Sequence, residues 1–207
     1  MKGIARQLML RKIQSSLLVL ALSFAAFTTA AAQIGQSERF STIKIKNFGQ
    51  VAERFYRGAQ PKPEDYKALA VLGVKTIIDL RNDPLDFAKE ATEAAGMKYV
   101  NIPMSDKKRP QDEQIEKFLS VINEPETGAF YVHCAGGRHR TGVMGAMYRF
   151  NHDNWNYDQV YKEMKQYDYY SRWGHGALKE YVQDYYESLR TKGIEATSSA
   201  TSSTSNR

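Results

Sequence analysis

Residues 133–142 read HCAGGRHRTG and contain the only cysteine of the 207-residue chain, Cys134, followed six residues later by Arg140. An apolar, strand-like run precedes this stretch (residues 129–132), and a helical pattern follows it (residues 141–151). A strand that ends in a thiol, a loop with two glycines and the start of a helix together form an anion-binding geometry. We therefore expect the loop amides, the helix N-terminus and the Arg140 guanidinium to bind phosphate oxygens.

The same positive surroundings are expected to lower the pKa of Cys134, so that the thiolate acts as a nucleophile. A nucleotide-binding P-loop is disfavoured, because Val143 follows Gly142 where that motif needs lysine. One cysteine and four scattered histidines give no zinc-ligand spacing, and we predict no metal and no cofactor. Rhodanese-like sulfurtransferases and arsenate reductases use comparable loops and remain alternatives. The stretch predicts a cysteine-dependent phosphatase.

The pattern His-Cys-(five residues)-Arg-Thr resembles the signature of the protein tyrosine phosphatase superfamily, and the resemblance covers about residues 40–190. It is most similar to short, dual-specificity-like members of the atypical plant and fungal type, which have lysine at the position of Arg138. Residues 56–61, YRGAQP, resemble a second segment of those proteins. The resemblance implies the cysteine-phosphatase fold, a phosphocysteine intermediate, and phosphorylated proteins or inositol phosphates as substrates.

Three residues are predicted to be catalytic: the nucleophile Cys134, Arg140, and Asp106 as the general acid. Asp106 follows a strand-like run (residues 98–102), so it is expected at the same sheet edge as the thiol. Asp83 and Asp86 follow the preceding strand and remain alternatives for the acid. The predicted phosphate-binding residues are Ala135, Gly136, Gly137, Arg138, His139 and Arg140.

Two residues beside the loop have supporting roles in the superfamily that the chain resembles. The resemblance implies that His133 helps to set the acidity of the thiol, although its ring could equally pack beneath the loop. The hydroxyl of Thr141 can donate to the thiolate and favour its departure from the intermediate.

Further residues are predicted around the mouth of the site. A cluster of basic side chains attracts polyanionic substrates. The basic candidates are Arg57, Lys107, Lys108, Arg109, Arg138 and His139, and the candidates for a pocket wall are Tyr169, Tyr170 and Arg172.

Strand-like and helical patterns alternate along the chain, which predicts a single α/β domain whose mostly parallel central sheet is flanked by helices. The predicted strands are residues 42–45, 75–80, 98–102 and 129–133. The predicted helices are residues 63–72, 85–95, 112–122, 141–151, 157–166 and 175–189.

Both ends of the chain differ in composition from the predicted domain. Residues 1–32 have a basic start, a short apolar stretch and Ala-Ala-Ala, which predicts a cleaved signal peptide, export to a periplasm or beyond, and no stable membrane insertion after cleavage. Much of the chain's excess of 29 basic over 23 acidic residues lies in that segment, so no nucleic-acid partner is predicted. Residues 194–207, rich in Ser and Thr, predict a disordered tail. We expect the mature protein to be a monomer.

The sequence leaves three functional hypotheses. The leading one is a phosphomonoesterase that acts on protein phosphotyrosine, with some phosphoserine or phosphothreonine activity. An inositol phosphate or inositol pyrophosphate phosphatase is the alternative within the enzyme class. An inactive phosphate-binding module is the hypothesis from another class, and the presence of both Cys134 and Arg140 argues against it.

Overall fold

A five-stranded sheet lies at the centre of the computed structural model, which describes residue 40 and residues 42–204. The strands are β1 (Gly49–Ala52), β2 (Phe55–Ala59), β3 (Val74–Arg81), β4 (Lys98–Met104) and β5 (Ala129–Cys134). Their order is β1-β2-β5-β3-β4. Only the edge pair β1 and β2 is antiparallel, and the other neighbours are parallel. The prediction of an α/β fold with a mostly parallel sheet is therefore confirmed.

Six α-helices lie between residues 42 and 204: α1 (Asp65–Val71), α2 (Asp86–Ala94), α3 (Asp112–Asn123), α4 (His139–His152), α5 (Tyr157–Gln166) and α6 (Gly176–Thr204). A short 3-10 helix (Pro125–Thr127) precedes β5. Capping boxes begin α3, at Gln111 and Gln114, and α5, at Asn156 and Gln159, and each satisfies two backbone donors of the first turn. The most buried helix is α4, which packs against β5 and against α3, α5 and α6. This packing fixes the N-terminus of α4 at the end of β5.

The two central strands, β3 and β5, are buried along most of their length because helices cover both faces of the sheet. Phe55 of β2 and Phe130 of β5 pack with ring centroids 4.9 Å apart, and Phe118 of α3 lies against Phe55. These aromatic contacts lie near the amino ends of the parallel strands. The carboxyl ends therefore remain available for a binding site.

The prediction of the first strand is wrong. Residues 42–45 form no strand, and the sheet instead begins with the hairpin of β1 and β2. All five residues of β2 are buried, including Arg57 and Gly58, so this strand has neither the polar–apolar alternation nor the apolar run that reveals a strand in a sequence.

The predictions for the chain ends have different outcomes. Residues 1–32, the predicted signal peptide, lie outside the described residues. The last helix continues past Ile194 to Thr204, so the backbone of most of the segment predicted as a disordered tail is helical. Helix propagation is cooperative, and the packed part of α6 provides the nucleus. Among the described residues, no helix is both long and apolar enough to cross a membrane.

A contact between two backbone segments positions the loop that joins β5 to α4. Gly137 has a φ of 65°, in the left-handed region, and lies directly against Gly58 and Ala59 at the end of β2. A Cβ atom on Gly137 would come within 2.3 Å of the carbonyl carbon of Gly58. Because a backbone atom cannot move aside as a flexible side chain can, only glycine fits at this position.

We predict that Gly137→Ala destabilises the protein by about 1–3 kcal/mol, the usual cost of overpacking, and displaces the loop. Gly136→Ala is the matched control, because its Cβ would meet only Arg138 side-chain atoms at 3.8–3.9 Å. Urea unfolding and inorganic phosphate binding measure both effects. Equal stability and equal phosphate affinity in the two variants would contradict the close contact between Gly137 and β2.

Candidate active site

The predicted nucleophile and the predicted phosphate-binding arginine lie on either side of the loop. Cys134 is the last residue of β5, and Arg140 is in the first turn of α4; they are 4% and 5% exposed. Both line a pocket of about 180 Å³. The other lining residues are Asp106, Ala135, Gly136, Arg138, His139, Tyr170 and His175. A larger groove of about 460 Å³ lies between α3 and α6, away from the thiol.

Four successive carbonyl groups of the loop are bound by donors outside the pocket. Gln60 N–H donates to the Ala135 carbonyl (3.3 Å), Asn47 Nδ2 to that of Gly136 (2.8 Å), Arg57 Nη2 to that of Gly137 (2.7 Å) and Gly142 N–H to that of Arg138 (3.0 Å). The N–H and C=O of a trans peptide point in opposite directions. The N–H groups of residues 136–139 are therefore directed to the pocket side of the loop, as in an anion-binding nest.

These surroundings favour the ionised form of Cys134. Burial alone would raise its pKa, but the hydroxyl and backbone N–H of Thr141, the charge of Arg140 and the backbone of Arg138 together lower it below the ordinary value. A thiol that ionises more readily is a thiolate over a wider pH range and can attack phosphorus. That the Thr141 hydroxyl favours departure of the thiolate from the intermediate stays a prediction.

Arg140 is fixed along one edge of its guanidinium. Its Nη1 donates to the backbone carbonyls of Leu80 (3.3 Å) and Met104 (3.1 Å) and to Oδ1 of Asn82 (3.0 Å). These acceptors lie at the carboxyl ends of β3 and β4 or just beyond. Its Nε is buried and has no hydrogen-bond partner. A phosphate oxygen would supply that partner.

The prediction that Arg57 lies at the mouth of the site is wrong, because Arg57 lies behind the loop. It is 1% exposed, donates to the Gly137 carbonyl, and its guanidinium carbon lies 4.0 Å from the centre of the Tyr167 ring. Burial lowers its pKa to about 10, so it keeps its charge at neutral pH. Arg57 therefore supports the loop and adds positive potential near Cys134.

His133 packs beneath the loop, which is the second of its two predicted positions. The ring is fully buried, and its Nδ1 lies 3.8 Å from Oδ1 of Asp79 on the neighbouring strand β3. Burial lowers the pKa of His133 to about 4, so the ring is neutral at neutral pH. A neutral ring adds no positive charge to stabilise the thiolate.

Among the three candidate acids, Asp106 is the one that lines the pocket with Cys134. Asp83 pairs with Arg81 at 3.0 Å, and its side chain is 69% exposed. Asp86 is an exposed residue in the first turn of α2. The geometry brings Asp106, Cys134 and Arg140 together and leaves the other two carboxylates outside the pocket.

The remaining predicted residues divide between the pocket and its surroundings. Arg138 and His139 line the pocket, whereas Lys107, Lys108 and Arg109 are exposed, and Arg109 pairs with Asp184 at 2.8 Å. Of the predicted wall residues, Tyr170 lines the pocket, Tyr169 is buried beside the His139 ring, and Arg172 is exposed and does not line it. Gly137 supports the loop from behind and is not a lining residue.

Sequence reasoning missed Asn47, Gln60 and His175. Gln60 lies inside the YRGAQP segment, so that segment contained a signal for it. Asn47 has a φ of 54° and donates from a turn before the first strand, and no motif marks it. His175 was predicted only as the first residue of the last helix, and it lies just before that helix, which begins at Gly176.

No group of three or more His, Cys, Asp or Glu side chains in the described part of the chain is arranged to hold a metal ion. The pocket instead provides arginine and backbone N–H donors. These groups suit an anion.

The chain is similar to phosphatases in both sequence and fold. It is 28% identical over 127 residues to a probable tyrosine-protein phosphatase of Dictyostelium discoideum, covering 58% of this chain and 75% of that protein. It is 26% identical over 136 residues to the inositol diphosphatase SIW14 of Saccharomyces cerevisiae, covering 60% and 46%. The crystal structure of the SIW14 catalytic core with citrate matches with a TM-score of 0.62 at 21% identity, covering 77% of this chain and 96% of that one.

The likeness to two plant proteins is confined to a small part of them. The chain spans 11% and 10% of the NAD kinases of Oryza sativa and Arabidopsis thaliana that it matches. A family model described as the DSP-PTPase phosphatase fused to NAD+ kinase matches residues 29–181, which is more than half of the chain. The resemblance inferred from the sequence is thereby confirmed, and the chain belongs to this family of dual-specificity-type phosphatases.

Proposed function

We propose that the protein hydrolyses phosphate monoesters through a phosphocysteine intermediate, with protein phosphotyrosine as the main substrate and some activity on phosphoserine or phosphothreonine. The observation that carries this proposal is that donors outside the pocket bind four carbonyls of the loop beside Cys134, a thiol whose pKa is lowered. That arrangement offers N–H donors to the oxygens of a phosphoryl group and a nucleophile to its phosphorus.

The reaction takes two steps. In the first, the Cys134 thiolate forms a bond to phosphorus, the bond from phosphorus to the ester oxygen breaks, and the Asp106 carboxyl gives its proton to that oxygen. Arg140 and the loop N–H groups bind the three non-bridging oxygens and stabilise the negative charge on them. In the second, the Asp106 carboxylate takes a proton from water, the water oxygen attacks phosphorus, and the thiolate leaves.

An inositol phosphate or inositol diphosphate is the second candidate substrate, and the loop itself favours it. Arg138 and His139 line the pocket, and each has a buried Nε atom without a hydrogen-bond partner. The Arg138 guanidinium is a charged donor beside the thiol and suits a substrate with a second phosphate. Burial lowers the pKa of His139 to about 4, so its ring is neutral; it donates to the Tyr170 backbone, and its Nε2 is an acceptor. The relative SIW14 is named an inositol diphosphatase.

The location and assembly of the enzyme are part of the proposal. The basic and apolar pattern of residues 1–32 supports export to a periplasm or secretion, and the mature protein is proposed to act as a monomer. Determining the N-terminal sequence and the mass in solution of the exported protein tests both points.

We predict that the wild-type protein releases phosphate from a phosphotyrosine peptide in the presence of EDTA, and that Cys134→Ser abolishes this activity. The serine hydroxyl is a far weaker nucleophile, while the loop donors and Arg140 remain, so the variant still binds vanadate.

Initial rates on phosphotyrosine peptide, phosphoserine peptide, inositol hexakisphosphate and a diphosphoinositol phosphate rank the candidate substrates. Activity of Cys134→Ser within about tenfold of wild type would remove Cys134 from the nucleophilic role. Vanadate binding without turnover by the wild-type protein would support the inactive binding module.

We predict that Asp106→Asn slows turnover by about 10²–10⁴, the usual contribution of a positioned proton donor. The loss is expected to be smallest for p-nitrophenyl phosphate, whose leaving group needs little protonation, and largest for alkyl phosphates. Asp83→Asn is the matched control, because that carboxylate is exposed and paired with Arg81. Small, equal effects of Asp106→Asn on both kinds of substrate would exclude Asp106 as the acid.

A further inference from the structure

His175 joins the two loops that carry the reacting groups. Its Nδ1 lies 2.6 Å from the backbone carbonyl oxygen of Asp106, and its ring stacks on that of His139 with centroids 3.6 Å apart and planes 11° apart. Both histidines line the pocket with Cys134, and His175 is 6% exposed. One side chain thus contacts the loop of the predicted acid and the loop of the nucleophile.

The hydrogen bond determines the form of the His175 ring. A carbonyl oxygen only accepts hydrogen bonds, so Nδ1 must carry the proton and donate to Asp106. The stack on His139 holds the plane of the ring, and the Tyr170 ring packs against it in a T-shaped arrangement with centroids 5.4 Å apart. The Tyr169 hydroxyl also donates to the backbone carbonyl of His175, at 3.4 Å. The ring is therefore fixed on several sides.

The backbone that leads to His175 adopts costly conformations. Asp168, Trp173 and Gly174 have φ values of 60°, 61° and 88°, and the first two are not glycines. Such conformations are unfavourable at non-glycine residues and persist only when the surrounding structure imposes them. The turn at Trp173 and Gly174 directs His175 back into the pocket while Trp173 itself stays 80% exposed.

We propose that His175 is a positioning residue for proton transfer, which holds the Asp106 backbone at a fixed place over the phosphate loop. This inference rests on the proposed function and on Asp106 as its acid. The carboxyl of Asp106 is attached to the peptide unit that His175 binds, so loss of the hydrogen bond frees the loop from Pro103 to Pro110 to move. A general acid that is displaced by 1 Å loses much of its effect on the rate.

Two variants separate the hydrogen bond from the stack. His175→Phe keeps a flat ring against His139 and removes the donor, whereas His175→Asn keeps a donor, because its Nδ2 occupies the place of the histidine Nδ1. Their kinetics are measured on phenyl phosphate and p-nitrophenyl phosphate, which have the same ring and differ in leaving-group basicity. Thermal melting and vanadate binding establish that each variant folds and retains the phosphate loop.

The expected result is selective for the leaving group. His175→Phe lowers kcat/KM on phenyl phosphate by about tenfold or more, with a much smaller loss of kcat/KM on p-nitrophenyl phosphate, because kcat/KM reports on the first step and not on the hydrolysis of the common intermediate. His175→Asn recovers most of the lost rate on phenyl phosphate. Added to Asp106→Asn, His175→Phe produces no further loss, because two residues that act through one step are not additive.

Equal losses on both substrates, or an undiminished effect of His175→Phe in the Asp106→Asn background, would overturn the proposal and leave His175 as a packing residue. If His175→Phe does not fold, His175→Gln makes the same comparison, because its amide reaches the place of Nε2 and not that of Nδ1. Failure of the proposed function is a separate outcome. In that case the wild-type protein itself does not turn over p-nitrophenyl phosphate, and the inference about His175 fails with it.

Discussion

The site depends on hydrogen bonds that hold the carbonyl groups of the phosphate loop away from the pocket. Asn47, Arg57 and the backbone of Gln60 bind three consecutive carbonyls from behind, and Gly142 binds the next from inside α4. Each bound carbonyl directs the N–H of the same peptide plane to the opposite side. Without these partners a loop with two adjacent glycines has many conformations, and its donors would not converge on one point. The lowered pKa of Cys134 and the binding of a phosphoryl group both follow from this convergence.

The two buried guanidinium groups, those of Arg140 and Arg57, have different electrostatic roles. Arg140 is tied to the sheet edge through Nη1 and keeps an unpartnered Nε for the ligand, whereas Arg57 is bound to the loop itself and lies over Tyr167. Burying a charge is costly unless hydrogen bonds and opposite charges compensate for it. The thiolate of Cys134 provides part of that compensation for Arg57, and a bound phosphate would provide more. The positive charges of Arg57 and Arg140 are therefore positioned to stabilise an anion bound in the pocket.

The sequence predicts the strand-loop-helix unit around Cys134 because each part has a local signal. The apolar run predicts β5, the two glycines predict the loop, and the helical pattern that follows the loop predicts α4. The edge hairpin and Arg57 were predicted poorly for one physical reason. A fully buried arginine in a strand resembles a solvated charge in the sequence, and only its distant partner, the Gly137 carbonyl, explains it. Asn47 and His175 act through long-range contacts to the loops, which no spacing along the chain reveals.

In the proposed mechanism, the phosphoryl group is transferred to the sulfur of Cys134 before it reaches water. The most direct test mixes the Asp106→Asn variant with p-nitrophenyl phosphate, quenches the reaction with acid within its first turnover, and examines the proteolytic peptides by mass spectrometry. The variant releases the good leaving group but activates water poorly, so the intermediate accumulates. We expect one phosphoryl group on the peptide that contains Cys134, at that residue. Sustained release of nitrophenolate with no phosphorylated peptide, or with the phosphoryl group on another residue, would contradict it.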